Sequence, residues 1–345
     1  MEQPKATTTN TLLTTTEQGN HSSSSPSNTV LPDITGAIGR TPLVELSRLT
    51  KQYGVQGRIL AKLEYLNPGF SKKDRIARQI LLEAMASGAL KPGQTVVELT
   101  SGNTGTGLAI CCAVWGYPFV AVMSAGNSME RARMMRAFGA EVVIVDQAPG
   151  STPGQVSGED LRRVEERTKE LAQERQAFRA DQFQRTANAR SHLEGTAPEI
   201  WEASGGSVTA FCDFVGTGGS FGGCASFFHQ YSVKCYIVEP AGAAVLAGHE
   251  VTRPNHRVQG GGYLMNDLPM IASQTLIDGY IQVNDSQAIQ VARDLAKYEG
   301  IFGGFSAGAN AAAAIELLRT KHQGGTIAIL ICDSGLKYLS TDLWG

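Results

Sequence analysis

The sequence predicts an α/β fold of mostly parallel sheets with helices on both faces. Two observations carry this. From residue 35 on, short strand-like runs alternate with helix-length segments, and strands joined by crossover helices build parallel sheets. The same rhythm then runs through the second half of the chain. At 345 residues the chain is long enough for two domains, and with 42% hydrophobic and 18% charged residues and 39 glycines it has a globular composition.

In order, "RILAKLEY" (58–65) reads as a strand and 74–87 as a helix. Strand 95–99, helix 104–115, strand 118–123, helix 128–138 and strand 140–145 follow. The Gly/Pro/Ser-rich loop "PGSTPGQVSGED" leads into a charged helix over 159–174. The second half gives helix 188–202, strand 209–215, helix 220–231 and strand 234–239. Strand 280–283, helices 286–299 and 308–320, and strand 326–331 complete the pattern.

Composition excludes several function classes. The net charge of −2 gives no support to a nucleic-acid partner. No apolar run approaches the ~18 residues of a membrane span. The six cysteines form no CxxC pair and sit in apolar runs such as "LAICCAVWG", as buried free thiols of a reducing compartment do. The six histidines show no metal-ligand spacing, so no metal is expected. Residues 1–34 are Ser/Thr-rich and low in complexity, and are expected to be disordered. This tail has no arginine and one lysine, which favours a cytoplasmic location over an organelle transit peptide.

Ligands of parallel sheets bind at the carboxyl ends of strands, so the strand-to-helix turns are where function is sought. The first is "NPGFSKKDR" (67–75), with adjacent lysines. Lys73 shares a helix face with Ile76, Ala77, Ile80 and Ala84, whereas Lys72 heads a polar stripe with Arg75, Gln79 and Glu83. Lys73 is thus expected on the buried face and Lys72 toward solvent. A buried lysine either snorkels, pairs with a carboxylate such as Asp74, or is used chemically. Bringing a lysine from ~10.4 to near 8 takes roughly 3 kcal/mol. A helix N-terminus supplies only about 0.3–1 kcal/mol of that, and a Schiff base to a carbonyl cofactor would change the group itself.

"ELTSGNTGTG" (98–107) puts Thr100, Ser101, Asn103 and Thr104 at a helix start, which suits a carboxylate or simply a capped turn. "DFVGTGGSFGG" (213–223) resembles a phosphate cradle. It fails the dinucleotide pattern, because GxGxxG from Gly216 would need glycine where Phe221 stands. It is not GxxxxGK[ST], so ATP is unsupported. "GGFSAGAN" (303–310) offers Ser306 as a helix cap or a ligand hydroxyl.

Taken together and in order, "NPGFSKKDR", "TSGNTG", "GTGGS" and "GFSAG" resemble the cysteine synthases, a family that includes cystathionine β-synthases, over about residues 35–345. These are pyridoxal 5′-phosphate (PLP) enzymes of fold type II. The resemblance implies two three-layer αβα domains with twisted, mostly parallel sheets, similar to the tryptophan synthase β subunit. The domains would span 35–185 and 186–345, with the segment 38–60 free to pack on the second and PLP in the cleft between them. It also implies a homodimer, with a small amino acid and sulfide or another nucleophile as partners.

The matching positions imply roles. Lys73 would be the Schiff-base lysine. Asn103 would bond the cofactor's phenolic oxygen, Gly216, Thr217, Gly218, Gly219 and Ser220 would cup its phosphate, and Ser306 would meet its pyridine nitrogen. Thr100, Ser101, Asn103, Thr104 and Gln182 would hold the substrate carboxylate. A serine at the ring nitrogen holds a proton less well than an aspartate would, which suits β-replacement. The implied reaction is O-acetyl-L-serine plus sulfide giving L-cysteine and acetate through an aminoacrylate, with Lys73 moving the α-proton.

The chain departs from the family in places. Phe70 and Lys72 interrupt the usual NPGGSVKDR, and Phe70 is positioned to reshape the pocket. "QGGGYLMNDLP" replaces the usual QGIGAGFIP, and its Tyr263 lines up with a tyrosine of cystathionine β-synthases. L-serine plus homocysteine, another nucleophile, a dehydratase or lyase, and a PLP-binding pseudoenzyme are the other readings. The intact Lys73, Asn103 and Ser306 argue against the last.

Overall fold

The strands sort into two sheets whose carboxyl ends hold the glycine-rich turns. The computed structural model describes residues 30–345 apart from 153, 155 and 272. The Ser/Thr-rich tail expected to be disordered falls mainly on residues 1–29, outside the described residues. The first half contains β1 (Leu43–Glu45), α1 (Ser47–Gln52), β2 (Arg58–Lys62), α2 (Lys73–Ala86) and β3 (Val96–Leu99). α3 (Asn103–Trp115), β4 (Phe119–Ser124), α4 (Met129–Ala137), β5 (Glu141–Val145), α5 (Gly158–Glu174) and β6 (Phe178–Arg179) follow. Then come α6 (Ala187–Ser191), α7 (Ala197–Ala203), β7 (Ala210–Phe214), α8 (Gly219–His229) and β8 (Lys234–Pro240). β9 (Gly279–Val283), α9 (Asp285–Glu299), α10 (Phe305–Arg319) and β10 (Thr326–Leu330) complete the chain.

One sheet has the order β1-β2-β10-β7-β8-β9 and the other β5-β4-β3-β6. All neighbours are parallel except β1, which runs antiparallel on β2. β2, from early in the chain, pairs with β10 in the register Ile59↔Ile327.

Each sheet is covered on both faces, and the period-two alternation of side chains decides which helix each residue meets. In β7, Ala210, Cys212 and Phe214 pack with α9 and α10, while Phe211 packs with Phe221, Cys224 and Phe228 of α8. In β4, Phe119, Ala121 and Met123 face α2 and α3, while Val120 and Val122 face Val164 and Leu171 of α5. Both sheets are therefore middle layers, and their strands are apolar on both sides.

The structure moves several sequence boundaries. β1, α1 and the two-residue β6 are additional elements, too short to show a period. "RILAKLEY" stops being a strand at Lys62, because 64–66 turn as a 3-10 helix that buries Glu64 against Arg75. The helix expected over 188–202 is α6 and α7 joined by a π turn at His192–Thr196. Pro198, in the first turn of α7, lacks the amide that would continue the α ladder back into that turn. Among the described residues no helix is long and apolar enough to cross a membrane.

Gly308 marks where α10 touches α9. A Cβ there would stand 2.0 Å from the Ala288 carbonyl oxygen. Gly308→Ala is predicted to cost about 1–3 kcal/mol and lower the thermal unfolding midpoint. An unchanged midpoint would contradict this packing.

Candidate active site

Three strand-to-helix turns and the start of α10 converge on two adjoining cavities. The first, with about 410 Å³ of empty space, is lined by Lys72, Lys73, Asn103, Gly216, Thr217, Ser220 and Ser306 among others. The second, about 440 Å³, is lined by Ser101, Asn103, Thr104, Gln182 and Tyr263 among others. Lys73 and Asn103 border both. The structure thus brings together most of the positions singled out in the sequence. Phe70 lines neither cavity and is 41% exposed, so its side chain does not narrow them. Its φ of +62° is a left-handed conformation that strains a bulky residue.

The lysine pair corrects the helix-face argument. Lys72 does not face solvent: it is 7% exposed. Its Nζ lies 3.0 Å from both carboxylate oxygens of Asp213 and donates to Ser220 Oγ at 2.8 Å. Arg75, on the same stripe, is buried between Glu64 and Glu199, with ion pairs of 2.7 Å to each. The start of the stripe is polar because Lys72 and Arg75 are buried and paired, while Gln79 and Glu83 farther along are half-buried; periodicity does not separate a buried, paired stripe from an exposed one.

Lys73 has no hydrogen-bond or ion-pair partner at Nζ among the described residues. Burial, then the neighbouring Lys72 ammonium, lowers its pKa to about 8. At Lys72 burial acts the same way, but the Asp213 carboxylate outweighs it and holds the pKa above the ordinary lysine value. One carboxylate serves two lysines, so one stays charged and the other readily becomes a free amine.

Asn103 opens α3 after Gly102, whose φ is +126°. A Cβ on Gly102 would stand 2.4 Å from Arg131 Cδ, so the turn requires glycine. Asn103 Nδ2 donates to Asp333 Oδ2 at 2.7 Å, and Lys337 Nζ donates to Asn103 Oδ1 at 2.7 Å. Its amide is held from both ends by the segment after β10.

On the second cavity, Thr104 Oγ1 donates to Gln182 Oε1 at 2.6 Å, and Ser101 Oγ lies 3.4 Å from the Tyr263 hydroxyl. Thr100 is turned away: it is buried, and its hydroxyl accepts from the Gly102 and Gly105 amides at 2.9 Å. It shapes the turn from within.

Gly216–Ser220 form the turn into α8. A Cβ at Gly216 would meet the Gly260 carbonyl oxygen at 2.6 Å, and one at Gly219 would meet Asn188 Oδ1 at 1.9 Å. Gly218 has a φ of +82°. Thr217 Oγ1 accepts from Asn188 Nδ2 at 2.9 Å, which leaves its proton for a ligand. A helix N-terminus with glycine amides and the Thr217 hydroxyl is a chemical match for a phosphate, while the Ser220 hydroxyl donates to Asp213. Ser306, in the first turn of α10, is buried and lines the same cavity beside Cys332, whose thiol burial pushes up to about 12. These donors fit a phosphorylated, carbonyl-bearing cofactor.

Asp213, Asp333, Lys337 and Gly260 escaped the sequence reading. Asp213 had a signal, being a lone charge in the apolar strand "AFCDF". Among the described residues no group of His, Cys, Asp or Glu could hold a metal ion, and all six cysteines are free and buried.

The lysine asymmetry is testable by amine labelling read by mass spectrometry across pH. Lys73 is predicted to reach half-maximal reactivity near pH 8 and Lys72 to stay protected. Labelling of both with the ~10.4 midpoint of ordinary lysines would contradict it.

Comparisons with known proteins agree with this chemistry. A family model described as pyridoxal-phosphate dependent enzyme matches residues 34–333. Cysteine synthase 3 of Caenorhabditis elegans is 38% identical over 316 residues, covering 90% of this chain and 89% of that protein. The solved cysteine synthase of Entamoeba histolytica superposes with a TM-score of 0.83 at 36% identity, covering 93% of each chain. An O-ureido-L-serine synthase superposes with a TM-score of 0.81 at 36% identity, over 92% of this chain and 96% of that one. A family match that spans both sheets and every turn of the site leaves one conclusion: the chain belongs to the pyridoxal-phosphate dependent enzymes, among relatives of the cysteine synthases.

Proposed function

We propose that this chain is a β-replacement enzyme that converts O-acetyl-L-serine and sulfide into L-cysteine and acetate. The observation that carries the reading is Lys73, whose amine has no hydrogen-bond or ion-pair partner among the described residues and stands on the border of two cavities. One cavity ends in an anion cradle and the other in hydroxyls and an amide at the start of α3.

In this reading Lys73 anchors the cofactor, and Gly216–Ser220 receive its phosphate at the start of α8. Bound pyridoxal phosphate supplies an electron-withdrawing ring conjugated to the substrate's α-carbon. Asn103 orients that ring, and its amide is already fixed by Asp333 and Lys337. Ser306 meets the ring nitrogen with a hydroxyl, which favours loss of a β group over transamination. Ser101, Thr104 and Gln182 bind the substrate carboxylate at the start of α3. Lys73, whose pKa burial and the Lys72 cation lower to about 8, gives up its proton more readily than an ordinary lysine; it takes the α-proton and later returns it. Acetate leaves from Cβ and sulfide takes its place.

Tyr263 favours a second reading. Its hydroxyl reaches toward Ser101 on the substrate side, where a β-hydroxyl leaving group would need a donor. L-Serine with homocysteine is therefore the alternative pair.

Spectra of the cofactor-loaded protein decide between the two. O-Acetyl-L-serine is predicted to change the visible band and L-serine to leave it unchanged, with sulfide then yielding cysteine. The reverse response would support the second reading, and silence to both would defeat each of them. Lys73→Ala is predicted to lose the cofactor band and at least about 100-fold in turnover. Retained turnover would contradict the role given to Lys73.

A further inference from the structure

The ion pair beneath the phosphate cradle is not used by the chemistry above. Asp213 is fully buried near the carboxyl end of β7, and its carboxylate accepts from Lys72, Ser220 and, at 3.2 Å, Asn310 Nδ2. Burying this pair is costly, and well-packed apolar residues would often serve stability as well. Lys72 also lines the cofactor cavity rather than lying behind it, and its Nζ bonds the hydroxyl that opens α8. The pair is therefore built to bring a charge to the cavity wall.

We propose that Lys72, held by Asp213, is a positioning residue that places a permanent cation at the phosphate end of the cofactor cavity. A helix N-terminus offers a partial charge and neutral donors, whereas a fixed ammonium adds a charge-assisted hydrogen bond to a phosphate oxygen. Asp213 fixes the direction of Lys72, and Ser220 lies between the two contacts. This inference rests on the cofactor site assigned above.

The test uses the full chain stripped of cofactor and titrated, with protein fluorescence as readout, with pyridoxal 5′-phosphate and with unphosphorylated pyridoxal. The ratio of the two affinities isolates the phosphate's contribution. Lys72→Met is predicted to lower that ratio about tenfold or more, and Lys72→Arg to keep most of it. Lys72→Met leaves Asp213 buried without its cation, so the double variant Lys72→Met/Asp213→Asn removes both charges and is predicted to give the same loss. A wild-type ratio in either variant would overturn the proposal. The ³¹P resonance of the wild-type holoprotein gives an arm without variants. Contact with Lys72 predicts a shift that stays constant through the usual phosphate pKa of about 6, and free titration there would overturn it. A wild-type protein that does not prefer the phosphorylated form would instead reject the cofactor site itself.

Discussion

The start of α2 is fastened to the end of β10, and the site depends on that fastening. The Lys72 amide donates to the Cys332 carbonyl at 2.8 Å, the Ser334 amide to the Phe70 carbonyl at 3.1 Å, and Lys337 Nζ to the Gly69 carbonyl at 2.8 Å. Lys337 also holds Asn103, so the segment after β10 fixes both the lysine turn and the asparagine turn. The lysines enter the cavity from a backbone that has little freedom to move. Fixing these groups before a ligand arrives spares the ordering cost at the moment of binding.

Within that frame the distribution of charge follows from one carboxylate. Asp213 is hydrogen-bonded to Lys72, whereas at Lys73 its charge is too weakly felt to offset burial and the neighbouring Lys72 cation. Burial penalises both ammonium groups, but only Lys72 is compensated. Two residues of the same type, adjacent in sequence, thus acquire different proton affinities. Apart from Asp333 and Lys337, which hold Asn103, the rest of the lining offers hydroxyls, amides and helix N-termini, among them Ser101, Thr104, Thr217 and Ser306. Such groups bind anions through neutral donors.

The layered architecture was legible because buried parallel strands and their helices leave strong patterns. Most helix and strand centres match the sequence reading, the helix expected over 188–202 excepted, and most glycine turns singled out there line the two cavities. β1 and β6 were not legible, since two or three residues carry no period. The partner of Lys72 was not legible either, because it is 141 residues away in sequence and only the parallel pairing of β7 with β10 brings it near. Thr100 illustrates a different limit. A threonine in a ligand-like turn reads the same whether its hydroxyl faces a ligand or caps the turn from inside. Phe70 reads as a pocket residue by position, yet its backbone turns its ring toward the surface.

The most direct test of the central claim is to find which lysine carries the cofactor. Borohydride reduction of the holoprotein, followed by digestion and mass spectrometry, would fix the attachment in place. The account predicts the phosphopyridoxyl mass on Lys73, with Lys72 unmodified. The mass on Lys72, or on a lysine outside the two cavities, would contradict it.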